Sequence, residues 1–155
     1  MKQLSILITL LISLGFSSAC WGEVYESLKV TNYKNIHLLV NPVEDNCLGI
    51  TADKIKLLTK LKLLRNSIKT VSVANPFIYI VVSVIDVDVG GEKRGAAYNI
   101  KINLQDLGFE KEGAYSDSLT MEGGLGIGNS YKTFERDFEE YLDKFILNYL
   151  ESNME

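Results

Sequence analysis

The chain has 155 residues, 16 Lys and Arg against 20 Asp and Glu, and a formal charge of -4. That is room for one domain of ordinary size, and an acidic balance that gives nucleic acid no electrostatic footprint. One histidine and two cysteines without Cys-x-x-Cys spacing give no basis for a zinc site or for dithiol redox chemistry.

Met1-Lys2-Gln3 is a short positive start, Leu4 to Phe16 is an uncharged, predominantly apolar run, and Ser17-Ser18-Ala19 places small residues where a signal peptidase cuts. Residues 1–19 are therefore predicted to be a signal peptide, with cleavage as late as Gly22, and 24–152 a single exported domain. The apolar run falls short of the roughly 20 residues of a membrane span. Cleavage before Cys20 would expose a cysteine for lipidation, which would tether the protein to a membrane. Ser17 stands where a lipoprotein box wants an aliphatic residue, so simple secretion into the periplasm or beyond is the plainer expectation. Cys20 and Cys47 then allow three states: a disulfide, a lipid on Cys20 with Cys47 free, or Cys47 alone. A bridge closing a loop of this size would contribute about 3 kcal/mol.

In the mature chain, Leu28 to Val30 and Ile36 to Val40 read as the first extended segment, and Asn41 to Asn46 as a loop around Pro42. Thr51 is an N-cap with Asp53 in the first turn, opening a helix over 52–65 whose apolar stripe is Leu57, Leu61 and Leu64, continued by Ile68. Asn66-Ser67 ends it, Asn66 being a residue that tolerates the left-handed conformation. Lys54, Lys56, Lys60, Lys62 and Arg65 are spread around the circumference, as on a solvated amphipathic helix or a surface for an acidic partner. Ile68, Val71 and Val73 suggest a short edge strand.

Pro76 to Val89 is the central strand. Phe77, Tyr79, Val81, Ile85 and Val87 point one way and Ile78, Ile80, Val82 and Val84 the other, which predicts cover on both faces. Gly90 to Gly95 reads as a turn longer than a two-residue hairpin loop, with an antiparallel return through Tyr98, Ile100, Ile102 and Leu104 on a buried face. Glu110 to Gly113 turns the chain into a weaker strand over 114–122, with Tyr115, Leu119 and Met121 inward. Gly123, Gly124, Gly126 and Gly128 then read as a flexible strand-to-helix loop. A phosphate loop is excluded by Asn129, which stands where its lysine belongs. The last helix, 131–150, is capped by Asn129 or Ser130 and carries a broad stripe of Phe134, Phe138, Tyr141, Leu142, Phe145, Ile146, Tyr149 and Leu150.

No catalytic constellation emerges. His37 and Cys47 lack the local signature of a Cys-His hydrolase, and Asp86 with Asp88 has no third ligand for calcium, so no metal or cofactor is expected.

The succession Leu64-Arg65-Asn66-Ser67-Ile68-Lys69, Phe77 to Val82, Ala97-Tyr98-Asn99-Ile100, Gly124 to Gly128 and Phe145 to Leu150 with Asn153 resembles a group of small exported bacterial proteins of unknown function. Asn66-Ser67 departs from the Ala-Gly of that group. The order of elements is similar to the α+β module of envelope accessory proteins: the penicillin-binding-protein activator lipoprotein, the curli secretion lipoprotein and the amino-terminal domain of TolB. That resemblance implies a protein-binding accessory role in the cell envelope.

The expected fold is therefore α+β: an antiparallel or mixed sheet of about four or five strands with two packed helices, in the order β-α-(β)-β-β-β-α. The expected function is non-enzymatic binding of another envelope protein, through the edge piece Ile68, Val71 and Val73, through Lys56 and Lys60, or through the glycine stretch. The alternative is a carrier of a small apolar ligand beneath the C-terminal aromatic helix.

Overall fold

The computed structural model describes residues 33–74, 76–110 and 113–154. The signal segment, Cys20 and Leu28 to Val30 lie outside them, as do the side chains of Tyr115, Leu119 and Met121. The elements follow the order β1 (Asn35–Val40), α1 (Ala52–Arg65), β2 (Lys69–Val71), β3 (Phe77–Val89), β4 (Glu92–Glu110), β5 (Gly113–Gly128) and α2 (Tyr131–Glu151). The fold is α+β, as the sequence predicts.

Strand β3 sits in the middle of a five-stranded sheet of order β2-β1-β3-β4-β5. The sheet is mixed: β1 is parallel to both β2 and β3, with His37 opposite Phe77, whereas β3, β4 and β5 are antiparallel. Helix α1 supplies the crossover that a parallel β1–β2 pair requires.

One face of the sheet makes the core. Ile36 and Leu38 of β1, Ile78, Ile80 and Val82 of β3, and Tyr98, Ile100, Ile102 and Leu104 of β4 are buried in one cluster with residues of both helices. The expectation of cover on both faces of β3 is corrected here. Among the described residues both helices pack on the Ile78/Ile80/Val82 side, while on the other side Phe77 is buried and Tyr79 and Val81 half-buried, but Ile85 is 72% exposed and Val87 and Val89 are also open. The β-branched residues of the outer half of β3 suit a strand conformation whether or not a second layer covers them.

The turn after β3 is also tighter than expected. Val89 pairs with Glu92, which leaves only Gly90 and Gly91 between the strands. Both have positive φ, 65° and 84°, the backbone of a two-residue type I′ hairpin that glycine adopts without a Cβ clash. The register then shifts: Val87 faces Gly95 and Asp88 faces Lys93, so Arg94 is the extra residue of a bulge.

The glycine stretch is strand, not loop. Residues 123–128 close β5 against β4, with Gly126 opposite Tyr98 and Gly124 opposite Ile100. A Cβ at Gly126 would lie 2.2 Å from the Tyr98 ring, and one at Gly124 would lie 2.3 Å from the Tyr141 hydroxyl. The alternate glycines therefore make room for tyrosine rings between β5 and α2, a cross-strand aromatic-over-glycine device. Leu125 and Ile127 point to the open face and are exposed.

Helix α2 follows directly, its Ser130 hydroxyl accepting from the Thr133 N–H. Phe134, Phe138, Leu142, Phe145, Ile146 and Tyr149 are buried, with Phe134 stacked on Phe138 at 5.8 Å and Phe145 on Tyr149 at 6.2 Å. Tyr141 and Leu150 of the same stripe are partly buried.

Candidate functional site

Helix α1 has the bounds and cap that the sequence predicts, Thr51 Oγ1 accepting from the Lys54 N–H at 3.3 Å. Its core face differs. The buried residues are Ile55, Thr59 and Leu63, each one turn and a little beyond the last. Thr59 fits the apolar contact because its hydroxyl donates to the Ile55 carbonyl at 2.8 Å. Leu57, Leu61 and Leu64 are instead 60%, 45% and 63% exposed. At about 100° per residue Leu57 and Thr59 are some 200° apart, so the leucines form a second stripe opposite the one that meets the sheet.

The end of the helix explains the orientation. Ser67 N–H donates to the Leu64 carbonyl at 3.0 Å and Ile68 N–H to the Leu63 carbonyl at 2.9 Å, the paired bonds of a Schellman cap. The left-handed residue is Ser67, at φ 61°, rather than Asn66, whose side chain donates to the Lys62 carbonyl at 2.9 Å. This cap drives Ile68 back beside Leu63 in the core and leads straight into β2.

The four lysines of α1 divide by side. Lys54 donates to the Gly49 carbonyl at 2.8 Å and lies over the Tyr131 ring, 4.5 Å from its centroid. Lys62 donates to both Asp143 oxygens at 2.9 Å and reaches Glu139 at 3.9 Å. Both tie α1 to α2 and place the two helices side by side in the same direction. Lys56 and Lys60 lie on the other flank and have no carboxylate partner among the described residues. Together with Thr70, Val71 and Ser72, they line a pocket of about 250 Å³ between α1 and the sheet edge. His37 and Leu38 of β1 complete it. The His37 Nδ1 sits 3.0 Å from the Val71 carbonyl, which can only accept, so Nδ1 carries the proton and Nε2 is the ring atom left over.

Strand β2 is the sheet edge, and it stops opposite His37 while β1 continues to Val40. Among the partner-surface residues expected from sequence, Val73 is exposed beyond β2, Val71 is half-buried and Ile68 is buried. Thus Lys56, Lys60 and Val71 share one pocket with Val73 close by in the chain, and the structure removes Ile68 from the surface. The glycine stretch stands apart from them, across the sheet on β5. The apolar stripe expected from sequence, Leu57, Leu61 and Leu64, is thus the outward one, and the buried stripe is carried by Ile55 and Leu63, which share a face at eight-residue spacing.

Cys47 belongs to a different cluster. Its N–H donates to Asp86 Oδ1 at 2.9 Å, its Sγ donates to the Gly95 carbonyl at 3.2 Å, and Lys93 Nζ meets Asp86 Oδ2 at 2.6 Å. The Lys93 ammonium and the Cys47 N–H hold the Asp86 carboxyl at about 2, while crowding and that carboxylate push the Cys47 thiol up. A thiol held protonated is a poor nucleophile. His37 is bonded to Val71, not to Cys47, and no group of three or more His, Cys, Asp or Glu side chains gathers among the described residues. No described helix is long and apolar enough to cross a membrane.

No family model and no curated protein matches the chain. Among solved structures, a minor lipoprotein from Acinetobacter baumannii aligns over 77% of this chain and 93% of that chain, at 10% identity and a TM-score of 0.34. A likeness of that degree carries no argument here, and the fold rests on its own strand order.

Proposed function

We propose that the protein is exported and acts, without catalysis, as an accessory component of the cell envelope that binds another envelope protein through the outer face of α1. The observation that carries this reading is the exposure of Leu57, Leu61 and Leu64 in one line, opposite the residues that already serve the core. Scattered surface leucines need no explanation, but three at helical spacing form the kind of ridge that an apolar groove accepts. The cations on the flanks give that ridge a polar rim and suit a partner with carboxylates around its groove. Export rests on residues 1–19, and a lipid on Cys20 would add a membrane tether.

The carrier alternative lacks comparable support. The aromatic residues of α2 that would line its cavity pack on one another and on β4, Tyr98 meeting Phe134 edge-on at 5.2 Å. Photo-crosslinking in the producing envelope tests the proposal. A photoreactive residue at Leu61 is expected to give a discrete adduct, and one at Leu147, an exposed leucine of α2, is expected to give none. Equal labelling from both positions, or none from Leu61, would refute it. Intact mass of the mature protein separately reports the cleavage point, any lipid on Cys20 and any bridge to Cys47.

A further inference from the structure

We infer that the pocket between α1 and the edge of the sheet binds a phosphate-type oxyanion, with Lys56 and Lys60 as its charged contacts. The inference goes beyond the leucine ridge and does not depend on it. Lys56 and Lys60 stand four residues apart on one flank of α1, so their ammonium groups repel each other across neighbouring turns. On the flank toward α2 two lysines of this helix are answered: Lys62 has Asp143 and Glu139, and Lys54 has a carbonyl and a ring. The lining of this pocket contains no carboxylate, in a chain where acids outnumber bases.

What the lining does contain is hydrogen-bonding capacity suited to oxygen. Thr70 and Ser72 bring hydroxyls from the edge strand and the residue after it, while the His37 ring spends its Nδ1–H on Val71 and supplies wall rather than a donor. Two ammonium groups with hydroxyl donors match a tetrahedral anion whose several oxygens accept at once, better than they match a single halide. Another hollow, about 340 Å³ near Val87, Ile127 and Thr133, offers a contrast. Its cation, Arg94, is already paired with Glu92 at 2.6 Å. The edge pocket therefore has both the free charge and the donors. A soluble phosphoester and a phospholipid headgroup share the required chemistry.

The test uses the full mature protein, labelled with nitrogen-15 and titrated with inorganic phosphate against sodium chloride at matched ionic strength. Saturable amide shifts are expected at His37, Thr70, Val71 and Ser72 with phosphate and not with chloride. Lys56→Ala and Lys60→Ala are each expected to weaken phosphate about tenfold, the scale of one charge-assisted contact, and Lys144→Ala to leave it unchanged. Sedimentation with vesicles of phosphatidylglycerol and phosphatidylcholine, against phosphatidylcholine alone, then assigns the source. Binding lost in the Lys56→Ala/Lys60→Ala pair identifies a headgroup, and phosphate binding without vesicle binding identifies a soluble phosphoester. Shifts reproduced by chloride, or unaltered phosphate affinity in both lysine variants, would overturn the assignment. The Leu61 crosslink reads independently of every one of these outcomes.

Discussion

Helices α1 and α2 lie side by side on the same face of one sheet, yet they use their apolar residues in opposite ways. On α2 the aromatic stripe turns inward, Tyr141 and Leu150 only in part, and the outer face is mostly charged. On α1 the apolar residues divide: Ile55 and Leu63, with Thr59, are buried and Leu58 packs partly against the same core, whereas Leu57, Leu61 and Leu64 face outward. Periodicity of 3.6 identifies a helix in both cases, but it selects the buried face only where a single apolar stripe exists. With two stripes the choice passes to the ends: the Ser67 cap, which returns Ile68 to the core, and the Lys54 and Lys62 contacts with α2.

The widest separation between the helices should appear on truncation. Phe138→Ala removes a fully buried ring from α2 and is expected to cost about 3–5 kcal/mol in denaturant unfolding, whereas Leu61→Ala on α1 should cost less than about 1. Similar losses at the two sites would erase the distinction. Next in size is the seat of α2. Gly126→Ala sets a methyl against the Tyr98 ring and should destabilise by about 1–3 kcal/mol, with a lowered thermal midpoint as the readout.

A smaller gain is expected at the end of α1. Ser67→Gly relieves a left-handed non-glycine residue and should stabilise by up to about 1 kcal/mol; a loss would mean that the serine side chain supports the cap in some other way. The mildest effect concerns the loop that leads into α1, which Asp86 holds through the Cys47 N–H. The folded Asp86 carboxyl is depressed from 3.8 to about 2, so the unfolded chain takes up its proton first as pH falls. Its stabilising contribution is full above about pH 4 and fades toward pH 2. The gap in unfolding midpoint between wild type and Asp86→Asn should therefore narrow across that window, and a gap that held constant would exclude the linkage.

These contrasts mark what the sequence makes legible. Thr51, the bounds of α1, the central place of β3 and the α2 stripe each follow from one unopposed local signal. The glycine strand did not, because glycine favours turns on its own and becomes a strand residue only when Tyr98 and Tyr141 need the space across from it. The Gly90-Gly91 hairpin was hidden by the bulge at Arg94, which lengthens the polar stretch beyond the true loop. The sidedness of the sheet was illegible because β-branched residues favour strands even at positions as exposed as Ile85, Val87 and Val89. Lys56 and Lys60 were legible as charges, but the pocket they share with His37 and Thr70 exists only once β2 pairs with β1.

The proposal that α1 presents a binding face opposite its core face is tested most directly by the triple variant Leu57→Gln, Leu61→Gln, Leu64→Gln, since glutamine keeps helix propensity while removing the apolar ridge. Its unfolding free energy and its envelope crosslinks, from a photoreactive group at Arg65, should be measured together. Stability within about 1 kcal/mol of wild type with loss of the wild-type adduct is the expected result. A loss of several kcal/mol, or an unchanged adduct, would contradict it.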